Sequence, residues 1–167
     1  LYEDRADETL LPEATTTSIA IYVDGIGTTS GGDDSRYTQA TGRLGETSVV
    51  ARVEQSPALI GEQLRQLRTS NPDLIIERIE FDIFGFSRGA AAARHFANEV
   101  LKGNKGIFAD AFPSGFEGLA KSFAWRPKID AAINFIGLFD TVASIANPWV
   151  LDFTGANSRN RGINLKL

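Results

Sequence analysis

The stretch of this chain whose residue types and spacing best suit chemistry is Gly85-Phe86-Ser87-Arg88-Gly89, one alcohol held between two glycines. Its surroundings, FDIFGFSRGAAAARHF over residues 81–96, read as a strand, a tight turn around Ser87 and a helix opening on Ala90, Ala91, Ala92 and Ala93. A serine on so sharp a corner presents its Oγ at the end of a sheet. The N–H of Arg88, at the start of the helix, faces the same space, so nucleophile and oxyanion donor arrive together. The other reading is a glycine-rich turn without chemistry; a strand before and a small-residue helix after favour the nucleophile.

Two further polar positions belong with Ser87. In open α/β sheets ligands sit beyond the carboxyl ends of the strands, and the other strands of this chain are expected to end at Asp24-Gly25 and at Asp140-Thr141. Asp140 suits either the acid that orients a catalytic base or a cap after the strand. Gly25 offers either a second oxyanion N–H or the freedom a turn needs. The only imidazole, His95, lies eight positions after Ser87 on the same expected helix, about 12 Å along its axis at ~1.5 Å per residue. A general base must come within ~3.2 Å of the proton it takes, so His95 reads as structural. With no cysteine and one histidine the chain holds neither a thiolate nor a multi-histidine metal site, and no cofactor or metal is expected. Asp33 and Asp34, in GGDD, read as solvated loop carboxylates rather than cation ligands. An aspartyl nucleophile at Asp24 is set aside because Ile26 stands where that chemistry places its acid.

The elements that must position these groups follow from pattern. Residues 1–17 lack periodicity and read as a mobile arm before a core spanning 18–167. SIAIYVD reads as a buried strand, and residues 25–48 as a long Gly/Ser/Thr/Asp loop. A helix is predicted from Pro57 to Thr69, with Ser56 as N-cap, Pro57 at the first position and Ile60, Leu64 and Leu67 on one face. LIIERIEFDIF is the second predicted strand, ARHFANEVLKG a helix closed by Gly103, and AAINFIGLFD the third strand. Between Gly103 and Lys128 the chain carries Phe108, Phe112, Phe116, Phe123 and Trp125. Packing onto the sheet is the preferred reading of these aromatics over an acyl groove or lid. Trp149 receives no role. Alternating strands and helices argue for an α/β fold: a mostly parallel sheet with helices on both faces.

Composition narrows the partners. At 167 residues, 43% apolar and 23% charged, the chain suits one globular domain. Its net charge of −4, with both signs interspersed, gives no footprint for nucleic acid. No apolar run approaches the ~20 residues of a membrane span, and the polar, acidic start is unlike a signal peptide.

Taken together, YVDGIGT, FDIFGFSRGAAAARHFAN and IGLFDTVAS resemble the first family of bacterial type VI secretion lipase effectors, over residues 19 to about 145. Those proteins are α/β-hydrolases with phospholipase A activity. The resemblance implies that Ser87 is the nucleophile, that Asp140 of FDTV is the triad acid, and that membrane phospholipid is the substrate. It also implies synthesis in the cytoplasm without a signal peptide and delivery by the type VI machine to the periplasm or membrane of a target cell. Its spike protein and a cognate immunity protein are then the expected partners. The family's base is a histidine well downstream of the aspartate, and none follows Asp140 here. The closing RGINLKL reads as the start of another strand, so the chain is expected to be the N-terminal part of a catalytic domain, inactive alone. The alternatives are an esterase or thioesterase of small soluble substrates and a non-catalytic binding module.

Overall fold

In the computed structural model the described residues are 9, 10, 14–23 and 49–141. Among them the order is α1 (Val49–Ser70), β1 (Ile79–Phe86), α2 (Arg88–Leu101), a 3-10 turn at Gly103–Lys105, α3 (Ile107–Ala111) and β2 (Ala131–Phe139). The two strands pair in parallel, which makes this an α/β arrangement joined by a helical crossover.

Helix α1 begins well before the predicted Pro57, and Ser56 is not its cap. Val53, Ile60, Leu64 and Leu67 form the buried stripe, and Pro57 lies inside the helix. A proline there withholds the N–H that the Val53 carbonyl would accept. The Ser56 hydroxyl fills the gap, donating to Val53 O at 2.6 Å. The helix stops where expected: Asn71 donates both its N–H and its Nδ2 to Leu67 O, each at 3.0 Å.

Strand β1 starts later than its apolar run predicts. Residues 74–78 precede it, with only Ile76 forming an isolated parallel bridge, to Leu119. SIAIYVD is also corrected over its described part: residues 18–23 form no strand, Tyr22 is 82% exposed, and only Ile19 packs on the core. Apolar alternation marks a segment that can pair; it does not supply a partner edge. Leu10, in the stretch read as an arm, donates its N–H to Asn71 Oδ1 at 2.8 Å.

The core lies on one face of the sheet. Phe81 of β1 meets Phe96 of α2 edge-on, and Phe108 of α3 packs between them and Trp125. Phe108, Phe112, Phe123 and Trp125 are all buried, so most of the aromatic connection is core and these four rings form neither groove nor lid. Trp125 also donates its indole N–H to Phe112 O at 3.0 Å. The other face is bare among the described residues: Phe84, Phe86, Phe135 and Phe139 are each more than half exposed. Helices on both faces are therefore not seen; the described helices cover one.

Candidate active site

The site begins at the upper end of β1. A Cβ added to Gly85 would lie 2.4 Å from Gly89 O and 2.7 Å from the Ala90 Cα, so only glycine lets the start of α2 lie this close to the strand. Ala90, Ala91 and Ala93 continue the contact and are buried. Between strand and helix stands Ser87, at φ 53 and ψ −120. That left-handed φ is disfavoured for any residue with a side chain.

Serine is a favoured N-cap, yet the Ser87 hydroxyl makes no capping hydrogen bond. Arg88 opens the helix, and the first turn carries no acidic side chain. Its N–H is one of the four that a helix start leaves without an intrahelical acceptor. Ser87 is half-buried rather than standing clear of the surface.

The second strand brings Asp140 to the same rim. Phe86 is paired with Phe139, and the Ser87 N–H donates to Phe139 O at 2.8 Å, carrying the ladder one residue past the strands. Asp140 is the next residue, exposed and also left-handed at φ 47. The register that aligns them depends on a bulge: Phe81 pairs with Ile133 but Asp82 with Phe135, leaving Asn134 as an extra residue. Without it Asp140 would stand level with Arg88. Asn134 donates its side-chain amide to Glu80 Oε2 at 3.2 Å, and is the sole polar residue in AAINFIGLF, the one signal in the sequence that could have marked it.

The remaining expected groups stand apart. His95 lies two turns along α2 with its side chain 12% exposed, its Nδ1 4.0 Å from Glu99 Oε1, a carboxylate that also takes Lys102. Gly25, Asp24, Asp33, Asp34 and Trp149 lie outside the described residues. Among the described residues no cluster of His, Asp and Glu could hold a metal ion, and no helix is long and apolar enough to cross a membrane.

At the opposite end of β2 a different device is built. Asp130 is buried, and its Oδ2 accepts from the N–H groups of Ala124 and Arg126 at 3.1 and 2.9 Å and from Arg126 Nε at 2.7 Å. Its Oδ1 accepts from Arg126 Nη2 at 2.7 Å. The Arg126 hydrogen bonds hold the Asp130 carboxyl well below the usual carboxylate range, against the opposing effect of burial. This clamp closes the loop that carries Trp125, itself at φ 55. Sequence reading missed it, although Arg126 and Asp130 stand four apart with opposite charge.

Comparison with protein-family models, with curated proteins and with solved structures returned no match for this chain.

Proposed function

We propose that this chain carries the nucleophile of a serine hydrolase that cleaves acyl esters of membrane phospholipids through an acyl-enzyme. The observation that carries the reading is Ser87: a serine at φ 53, between a parallel strand and a helix start, one residue beyond the rung that also presents Asp140. A strained residue at the carboxyl end of a parallel strand fits a nucleophile better than a passive turn. Its hydroxyl is also not used as a cap.

In the proposed reaction Ser87 Oγ attacks the ester carbonyl carbon as its proton passes to a histidine from outside these 167 residues. The carbonyl oxygen becomes an oxyanion facing the Arg88 N–H, with Gly25 as the second candidate donor. Collapse breaks the bond to the alcohol, which leaves as lysophospholipid with the proton returned by the base. Water then cleaves the acyl-enzyme to fatty acid. Asp140 orients the histidine and stabilises its charged form. The α/β-hydrolase fold and delivery as a type VI antibacterial effector, with spike and immunity proteins as partners, belong to this proposal and rest on the motif resemblance.

The test is mass spectrometry of phosphatidylethanolamine–phosphatidylglycerol vesicles incubated with the full-length protein. Lysophospholipid and fatty acid from wild type, absent with Ser87→Ala, are expected. Equal release by both would remove Ser87 from the mechanism, and hydrolysis of small soluble esters alone would replace the substrate.

A further inference from the structure

Strand β1 has a partner on one side only. The Ile79 N–H donates to Asp130 O and the Ser87 N–H to Phe139 O, each at 2.8 Å, so the odd-numbered residues of β1 turn their backbone groups toward β2. Those of Glu80, Asp82, Phe84 and Phe86 turn the other way, where the described residues supply no strand. A row of unpaired backbone groups is a template for another strand.

The topology says which segment belongs there. Helix α1 leads through residues 71–78 into the amino end of β1, and α2 leads from its carboxyl end toward β2. Both helices lie on one face of the sheet: Ile60 and Leu64 of α1 and Val100 of α2 share a core on which Phe81 of β1 packs. Crossovers between parallel strands keep one hand. Two successive crossovers of one hand over one face advance in one direction, so a strand that precedes α1 lies beside β1 on the edge away from β2. The chain is already drawn along that course. Leu10 is held by Asn71 at the end of α1, whereas the helix begins at Val49, about 33 Å away at ~1.5 Å per residue. The residues between must cover that length in the direction that β1 runs. Among them Ile19, Ile21 and Val23 alternate with Ala20 and Tyr22, and Ile19 packs on the core beneath β1. Beyond that contact the segment is unzipped: residues 18–23 form no strand, and Tyr22 is 82% exposed.

We infer that residues 18–23 are a strap that closes on the free edge of β1 as a third parallel strand. The pairing itself does not rest on the serine hydrolase reading, which it extends by setting a third strand end beside Ser87 on the rim.

The experiment measures amide hydrogen exchange, residue by residue, in the full-length protein, and photo-crosslinks the same protein carrying Tyr22→p-benzoylphenylalanine. The amides of Asp82, Phe84 and Phe86 are expected to exchange within about tenfold of those of Phe81, Ile83 and Gly85, which face β2, and at least about a hundredfold more slowly than in an unfolded chain. The adduct is expected within residues 79–86 of the same molecule. Free exchange at the even-numbered amides overturns the inference. Slow exchange that disappears on dilution, with adducts joining two molecules, gives the edge to a second copy instead. Slow exchange with an adduct elsewhere in the chain gives it to a different segment, and either result also overturns the inference. Loss of ester hydrolysis in Ser87→Ala, or its retention, bears on the hydrolase reading alone and moves neither measurement.

Discussion

The N–H of Ser87 donates to the carbonyl of Phe139 at 2.8 Å, so the residue on the strained corner is tied to the strand that delivers Asp140. One hydrogen bond thus fixes both the height of the serine above the sheet and its neighbour on the rim. The bulge at Asn134 sets which residue of β2 that neighbour is. At the far end of the same strand Asp130 accepts four hydrogen bonds, so β2 joins a rim suited to chemistry to an end that is clamped.

Ser87→Gly is expected to separate stability from activity. Glycine adopts φ 53 without the steric cost a serine meets. The variant should gain about 1 kcal/mol in urea denaturation while losing all ester hydrolysis in the full-length protein. A less stable glycine variant would show that the turn is held by the serine side chain.

Gly85→Ala has the opposite character. Its Cβ would lie 2.4 Å from a backbone oxygen, which cannot swing aside as a side chain can. A loss of roughly 3 kcal/mol or more is expected, enough to unfold many domains of this size. Wild-type stability in that variant would mean that α2 can slide along β1.

Much of this arrangement was legible beforehand because it is written in short-range terms. Gly85, Ser87 and the alanine run specify a close strand-to-helix turn, and Gly103, at φ 59, closes α2 as a left-handed residue. The third strand was found within a residue of its observed end. What escaped depends on partners remote in sequence or on one residue's ambiguous placement. Proline fits a first helical position, so Pro57 hid the turns of α1 before it. SIAIYVD has the alternation of a strand, but pairing is a property of two segments. The clamp at Asp130 needs both its carboxylate oxygens counted against backbone donors that only the folded loop brings together.

The proline inside α1 should be silent only while Ser56 is present. Ser56→Ala removes the hydroxyl that satisfies Val53 O in a buried setting, at a cost of about 1 kcal/mol. In a Pro57→Ala background the restored N–H reaches the same carbonyl, and Ser56→Ala should then cost close to nothing. A double-mutant cycle in urea reads the coupling directly. Additive losses would mean that the hydroxyl acts elsewhere.

His95→Gln tests the assignment of the only imidazole. It sits two turns from Ser87 beside Glu99, so its replacement in the full-length protein should lower ester hydrolysis by less than about tenfold, against several orders of magnitude for a lost triad base. Near-complete loss in a variant that folds as wild type does would make His95 the base.

Asp130→Asn should weaken the fold in a pH-dependent way. The carboxylate's folded pKa lies below its unfolded value of about 3.9, chiefly because Arg126 hydrogen-bonds the charged form. A depressed acid pKa contributes stability that is fully present above the unfolded pKa and is lost as pH falls toward the folded one. At pH 7 the asparagine variant should be less stable by roughly 2–4 kcal/mol, since it also leaves buried N–H groups and the Arg126 charge poorly matched. Urea denaturation of both proteins from pH 7 to pH 3 should show a constant gap above about pH 5 that narrows below about pH 4. A gap that closes between pH 7 and pH 5 would mean that another group, with a higher pKa, supplies the stability ascribed to Asp130.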